Sequence, residues 1–279
     1  MATVYLNDGA VSVANANWSS GTGFTANAEL VIRSGGQAIV SDMDQSGAGS
    51  IRYLKIAENF SGSIGTAASP LYTIATDGSI AEWSTASGNE GRVIHGGGGT
   101  LYLRAAGAGI DNLHQTGGGR TVLVNGTATF GRLLNGTLDV EALGTVGTLW
   151  AFNGQASIGA SATASTLLNL VGGSVLLARP YTTINVYGGE LIVNATTSSS
   201  AAMTVNQYGG TVTLIALNTS NTFNYNRYAG LFDPSRLTRD VTVATMYTGR
   251  AARFTKLATG GPDLTITNQY LLDSDAQRI

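Results

Sequence analysis

The feature that most constrains this 279-residue sequence is a strand, turn, strand pattern that returns about every twenty residues. Each copy places two glycines, or a close equivalent, between two short segments of alternating apolar and polar residues. The clearest copies, which align without gaps, are Leu168–Leu177, Ile184–Val193, Val205–Leu214 and Tyr225–Phe232. A repeat of this length suits one coil of a β-solenoid and is too short for a propeller blade or a helical repeat.

Looser copies of the turn lie upstream of these four. They occur at His95-Gly96-Gly97, Thr116-Gly117-Gly118, Asn135-Gly136 and Asn153-Gly154, so that successive turns are separated by roughly 16 to 21 residues. Alternation within the strands, as in Thr211–Leu214, directs apolar side chains inward and polar ones outward. The sequence therefore predicts an all-β fold, a single-stranded β-helix with coils of about 16–21 residues.

Asparagine and tyrosine recur at fixed places relative to the turn. Asn169, Asn185, Asn206 and Asn226 each lie three residues before the first turn position, and Tyr187, Tyr208 and Tyr228 lie directly before it. Strands of neighbouring coils lie about 4.8 Å apart, a spacing at which amide ladders and stacked rings form. We expect both sets to be structural ladders, although tyrosines that faced outward would also suit sugar rings.

Three regions of the chain follow from this pattern. Residues 29–232 are expected to form the solenoid. Residues 1–28, rich in Asn, Ser and Gly, are the candidate N-terminal arm or cap, and residues 233–279, which lack the Gly-Gly spacing, are the candidate C-terminal β cap. Irregular caps are expected because the open ends of a solenoid expose unpaired strand edges.

Composition narrows the classes of partner. Charged residues make up 11% of the chain, the formal net charge is −2, and the 15 Lys and Arg residues form no basic run, so no nucleic-acid or anionic-lipid partner is expected. No apolar stretch approaches the roughly 18 residues needed to cross a bilayer. The first residues lack the features of a signal peptide, which predicts synthesis in a cytoplasm. The absence of cysteine excludes disulfides and thiolate chemistry.

Candidate catalytic or metal-binding residues are few. Asp139 and Glu141 lie two apart on one predicted strand, a geometry that permits a carboxylate pair but is more typical of a solvated outer face. His95 and His114 lie at similar points of successive coils and would stack at most as a pair, fewer ligands than zinc requires. The segment Asp42–Asp44 begins like a calcium loop without its remaining ligands. We therefore predict no catalytic residue, no metal and no cofactor.

Two segments resemble a known class of protein. The segment Tyr53–Gly65 and the Tyr-Gly-Gly repeat from 184 to 230 are similar to β-helix virion proteins of tailed phages, a class of capsid cement or decoration proteins, head fibres and tailspikes. The resemblance implies a non-enzymatic capsid cement protein on the outer capsid surface, assembled in the host cytoplasm. Its implied partners are the major capsid protein and further copies of itself in a homotrimer. Residues 1–28 would be the capsid-facing tether, and the tyrosine-bearing face would pack the trimer.

Other functions stay open at this point. The main alternative is a receptor- or glycan-binding tailspike or head fibre, and a polysaccharide lyase or hydrolase is a more remote one. A tailspike enzyme would carry an acidic groove, for which the sequence offers no obvious candidate. A secreted β-helix adhesin is disfavoured because no signal peptide is recognised.

Overall fold

The computed structural model describes residues 3–6, 29–39, 53–68, 71–72, 92–104, 110–161, 165–198, 201–255, 257 and 259–271. All regular structure within these ranges is β-strand. The strands pair in parallel with strands of the neighbouring turn and stack in about 10 turns, so the protein is a β-solenoid. This confirms the predicted fold class. The chain forms two compact units, Met1–Gly147 and Thr148–Ile279.

The described residues of the first unit contain ten strands and most of an eleventh. They are β1 (Thr3–Tyr5), β2 (Glu29–Gly35), β3 (Ala38–Ile39), β4 (Tyr53–Phe60), β5 (Ser63–Ile64), β6 (Leu71–Tyr72), β7 (Arg92–His95), β8 (Thr100–Arg104), β9 (Ile110–Gln115), β10 (Arg120–Leu133) and β11 (Thr137–Ala151). Strands β1, β2, β4, β7, β9 and the second half of β10 pair in succession. Strands β3, β5, β8 and the first half of β10 form a second parallel succession.

The second unit begins within β11 and repeats the same plan. Its further strands are β12 (Gln155–Ile158), β13 (Ser165–Leu170), β14 (Ser174–Leu177), β15 (Tyr181–Val186), β16 (Glu190–Ala195), β17 (Met203–Gln207), β18 (Thr211–Leu217), β19 (Phe223–Asp233), β20 (Val241–Phe254) and β21 (Leu264–Leu271). The end of β11 pairs with β13, and the succession continues through β15, β17, β19, β20 and β21. Strands β12, β14, β16 and β18 stack on the other side of the glycine corner.

The core of the second unit is a set of stacked interior columns. In one column Leu168, Ile184, Val205 and Tyr225 occupy equivalent positions of successive coils, and all four are fully buried. Alternation along each strand produces these columns, because side chains at every second position point to the same face. Burying one such side chain contributes about 1.5–3 kcal/mol, so the interior columns are the main source of stability.

Glycine is required where the chain turns between two strands. At Gly189 and Gly210 the backbone φ angles are +72° and +65°, a left-handed conformation that residues with a Cβ rarely adopt. A Cβ at Gly189 would also overlap the carbonyl oxygen of Gly173 in the previous coil. The repeated glycines therefore set both the turn and the close approach of successive corners.

Parallel pairing extends beyond residue 232 in the second unit. Strand β20 pairs with β19, and β21 pairs with β20 through Leu271, so described residues of the predicted C-terminal β cap form further rungs. In the first unit, β1 lies within the predicted N-terminal arm and pairs with β2. Residues 7–28 of that arm lie outside the described residues.

Neighbouring glycines of one corner should differ sharply in their tolerance of alanine. A Cβ at Gly119 would overlap the carbonyl oxygen of Gly99, whereas a Cβ at Gly118 would meet no atom within 4 Å. We expect Gly119→Ala to lower the free energy of unfolding by about 1–3 kcal/mol through overpacking. Gly118→Ala should change it by no more than about 0.5 kcal/mol. Urea unfolding of both variants checks this, and equal midpoints would contradict the packing of the corner.

Candidate functional site

The four predicted asparagines form one hydrogen-bonded ladder on the outer side of the second unit. The side-chain amide of each coil donates to the Oδ1 atom of the coil before it, from Asn185 to Asn169 at 2.9 Å, from Asn206 to Asn185 at 2.9 Å and from Asn226 to Asn206 at 2.8 Å. Backbone register places all four at equivalent positions. Asn185 and Asn206, the inner members of this asparagine ladder, therefore each donate one side-chain hydrogen bond and accept another within the ladder.

The three predicted tyrosines form a stack beside the asparagine ladder. Ring centroids are 5.2 Å apart between Tyr187 and Tyr208, with 10° between the ring planes, and 4.8 Å apart between Tyr208 and Tyr228, with 2°. Tyr187 is 48% exposed and Tyr208 is 44% exposed. Because each ring covers the face of the next, this tyrosine stack presents mainly ring edges and hydroxyl groups to solvent.

The stack affects the acidity of its central member. Partial burial raises the pKa of Tyr208 above its usual value, and the neighbouring phenols of Tyr228 and Tyr187 raise it further. A phenolate at this position would be poorly hydrated and would lie beside two other groups able to become negative. Tyr208 is therefore a neutral hydrogen-bonding group at physiological pH.

The tyrosine stack continues into a longer exposed stripe that the sequence did not single out. Phe152 and Val171 precede the turns of the two earlier coils, the place that tyrosine occupies later, and each is 38% exposed. We call the set Phe152, Val171, Tyr187, Tyr208 and Tyr228 the apolar stripe. Its members carry no charge, and the asparagine ladder lies two residues before its last four members. The sequence does hold a signal for this stripe, because all five members occupy the position directly before a turn.

Aromatic residues also bound the asparagine ladder at both ends. Trp150 lies in register with Asn169, and Tyr247 lies in register with Asn226. The Tyr247 ring stacks on Tyr270 with centroids 4.9 Å apart. The ladder, its aromatic ends and the apolar stripe together form an uncharged outer face, which is the candidate functional surface of the protein.

The two histidines do not stack. In the pairing of β7 with β9, Ile94 lies opposite His114 and His95 lies opposite Gln115. A shift of one residue in a strand moves a side chain to the other face. The possibility that His95 and His114 stack was therefore wrong. The coil is one residue longer than the separation of the two histidines, so their side chains lie on opposite faces of the sheet.

His95 belongs to a buried polar network at the first unit's corner. Its Nδ1 atom lies 2.9 Å from the Thr121 hydroxyl, which donates to Gln115 Oε1 at 2.6 Å. The Gln115 amide in turn donates to the carbonyl oxygens of Gly117 at 2.8 Å and Gly119 at 3.2 Å. Because Thr121 gives its hydrogen to Gln115, Nδ1 of His95 is the donor in the first bond. Burial is the main cause that lowers the pKa of His95 to about 4, and hydrogen bonding opposes it only in part.

A second buried glutamine performs the same task in the other unit. The Gln207 amide donates to the carbonyl oxygens of Gly210 at 3.1 Å and Leu231 at 2.9 Å, and Tyr225 donates its hydroxyl hydrogen to Gln207 Oε1. Gln207 and Gln115 each lie two residues before the first turn glycine. The sequence analysis did not identify this pair, although a glutamine at a position that is apolar in some neighbouring coils, as at Leu133 and Val186, was a visible signal.

The other candidate residues are not assembled into a site. The Arg120 guanidinium forms an ion pair with Asp139, so that carboxylate faces a cation instead of completing a pair with Glu141. Among the described residues, no group of three or more His, Asp or Glu could hold a metal ion. The Asp42–Asp44 segment lies outside those residues. No helix in the described ranges is long and apolar enough to span a membrane.

Comparison of the chain with protein-family models, with curated proteins and with solved structures found no match. The features of the molecule that bear on function are therefore the fold and the outer face of the second unit.

Loss of one ladder amide should cost more stability than loss of an asparagine beside it. Asn206→Ala removes a donor to Asn185 and an acceptor for Asn226, and we expect it to lower the free energy of unfolding by about 1–3 kcal/mol. Asn224→Ala lies two residues from Asn226 on the same side, outside the ladder, and should change it by about 0.5 kcal/mol or less. Urea unfolding measures both, and equal losses would show that the ladder adds nothing.

His95 should make the fold sensitive to mild acid. Its pKa falls from 6.5 in the unfolded chain to about 4 in the folded one, so the unfolded chain binds the extra proton between these values. The contribution of neutral His95 to the free energy of unfolding is fully present above pH 6.5. It is lost as the pH falls towards 4, and the loss is on the order of 3 kcal/mol. His95→Gln, which keeps a donor for Thr121, should flatten that part of the stability profile. A profile of unfolding free energy against pH with the same slope in both proteins would refute this.

Proposed function

We propose that this chain is a non-enzymatic structural protein of a phage virion, a capsid cement protein that binds the outer capsid surface and stabilises the head. The major capsid protein is its proposed partner, and it acts as a homotrimer. The resemblance of Tyr53–Gly65 and of the Tyr-Gly-Gly repeat to phage head-surface solenoids supports this assignment.

The observation that carries the proposal is that outward polar side chains bond to one another between coils. In the asparagine ladder each amide hydrogen-bonds to the equivalent residue of a neighbouring coil, and in the tyrosine stack each ring packs on the equivalent ring. Such a face is pre-ordered, so that little side-chain entropy is lost when a partner covers it. A stiff block with a fixed face suits a protein that ties neighbouring capsid subunits together, where many modest contacts add up to firm attachment.

The apolar stripe is the proposed trimer-packing surface. Five successive coils at about 4.8 Å each give it a length of about 20 Å. In a ring of three copies whose axis runs along the coil stack, the stripes converge and equivalent coils meet at the same height. Neither the stripe nor the asparagine ladder beside it places a formally charged side chain in this contact.

A glycan-binding tailspike or head fibre is the second candidate, and the exposed tyrosine stack is the observation that favours it. Sugars bind to aromatic side chains chiefly through a free ring face. Both faces of Tyr208 lie against other rings, which leaves edges and hydroxyl groups for a ligand. The geometry therefore suits packing against another protein surface better than it suits sugar stacking.

The cement proposal predicts direct binding to phage heads. The purified full chain should co-sediment with expanded heads of the phage whose genome encodes it, when those heads lack their own copies. Removal of the proposed tether, residues 1–28, should weaken that binding by roughly tenfold or more, which corresponds to about 1.4 kcal/mol. Absence of binding by the full chain would overturn the cement assignment, and undiminished binding by the truncated chain would overturn the tether.

Controls separate this function from the alternatives. Because β1 lies within the tether, the truncated chain must first show the thermal unfolding midpoint of a folded solenoid. Light scattering of the free protein should give the mass of three chains. A glycan array and a polysaccharide depolymerisation assay should both be negative, and a positive array with no head binding would favour the fibre or tailspike.

A further inference from the structure

The tyrosine stack holds phenol rings at a separation that favours reaction between them. Tyr208 lies between two tyrosines, and its ring centroid is 4.8 Å from that of Tyr228 and 5.2 Å from that of Tyr187. Tyr208 is 44% exposed and Tyr187 is 48% exposed, so a small reagent in solution can reach their ring edges. Close approach and access are therefore combined at the same three side chains.

The backbone fixes this arrangement on both sides of each ring. Two residues earlier, the amide of Asn226 donates to Asn206 at 2.8 Å. Directly afterwards, Gly209 and Gly210 turn the chain against the corner of the preceding coil. The backbone positions that carry the rings therefore stay one strand spacing apart while the coils remain stacked. Two reacting groups held in this way have a high effective concentration towards each other.

We propose that the tyrosine stack is a modification site, at which a one-electron oxidant joins Tyr208 to Tyr228 or Tyr187 as dityrosine. Each phenol gives one electron to the oxidant and one proton to water, which leaves two neighbouring tyrosyl radicals. The radicals form one carbon–carbon bond between ring carbons ortho to the two oxygens. The hydrogen on each of these carbons then moves to its phenol oxygen as a proton. The product has two hydrogens fewer than the starting pair, and the oxidant has accepted two electrons.

The required oxidant is a peroxidase with hydrogen peroxide, which is reduced to two molecules of water, or a photo-oxidant with persulfate, which is reduced to two sulfates. The bond would link two coils covalently across the outer face. Since such a link restricts the unfolded chain in the way a disulfide does, the cross-linked protein should unfold at a higher denaturant concentration. The reaction concerns the single chain, because the proposed trimer contact would cover the same tyrosines, and it requires no binding to a capsid.

Other tyrosines provide internal comparisons. Tyr225 is fully buried and meets Phe232 edge to face, so an oxidant in solution has no direct access to it. Tyr102 lies in register with Val122 instead of another tyrosine. The Tyr247 and Tyr270 rings, with centroids 4.9 Å apart, form a second stacked pair that should react by the same chemistry.

The experiment uses the full chain, diluted until light scattering gives the mass of one chain. It is treated with light, tris(bipyridyl)ruthenium and persulfate, and the products are mapped by mass spectrometry after trypsin. Cleavage after Arg227 places Tyr208 and Tyr228 in different peptides, so their cross-link appears as a joined pair lacking two hydrogens. A link between Tyr187 and Tyr208 lies within one peptide and is located by fragmentation. We expect these links in a product with the mass of one chain, and loss of them in urea.

Tyr208→Phe is the decisive variant because it keeps a stacked ring and removes the phenol. It should abolish both links and reduce dityrosine fluorescence, while Tyr102→Phe should leave the links unchanged. The proposal is overturned if wild-type protein gives no link to Tyr208, if the links form equally in urea, or if they join only separate chains. Because peptide mapping of the wild-type protein decides the matter alone, the proposal does not depend on how either variant folds.

Discussion

Contact between the glycine corners of successive coils is the constraint on which the structure depends. At Gly189 and Gly210 the corner backbone lies directly against a carbonyl oxygen of the coil before, closer than any side chain would allow. This approach keeps equivalent residues of successive coils at the spacing of a parallel sheet. The same type of side chain can therefore recur at one position of several coils and form a column. The interior columns, the asparagine ladder and the tyrosine stack are all consequences of that spacing.

The corners also have to satisfy their own backbone carbonyls, and each unit does so with a buried glutamine. Gln115 and Gln207 reach from the strand end to two carbonyl oxygens each, and each accepts a hydrogen bond from a hydroxyl group, of Thr121 and Tyr225 respectively. Buried polar groups are tolerated when their bonds are complete, and complete networks of this kind favour one packing over its alternatives. In the first unit the network also includes an uncharged His95, whose buried Nε2 atom has no hydrogen-bond partner among the described residues. The corner is thereby tied to the protonation state of one ring.

The repeat could be predicted from the sequence because glycine identifies each corner. The position of every other residue in a coil can then be given as its distance from that glycine. Asn185 and Asn206 were placed together by this counting, and they are hydrogen-bonded in the structure. The same counting failed for His95 and His114, since a coil between them is one residue longer than their separation and reverses the side on which a residue points. Where the Gly-Gly mark disappears, after residue 232, continued coiling could not be recognised, although β20 and β21 add further rungs. The glutamine networks were not predicted, because a glutamine in the sequence does not show that its amide turns back to the carbonyl oxygens of its own corner. Their remaining partners, among them Leu231 and Tyr225, lie in the next coil.

The asparagine ladder has a direction. The amides of Asn185, Asn206 and Asn226 all donate towards the earlier coil. The Asn169 amide group therefore stands at one end of the row, and the Asn226 side-chain oxygen stands at the other. Amide dipoles aligned in this way add, and each bond polarises the next. The asparagine ladder is therefore electrically asymmetric along its length although its members carry no formal charge, and a partner laid against it can distinguish one end of the row from the other.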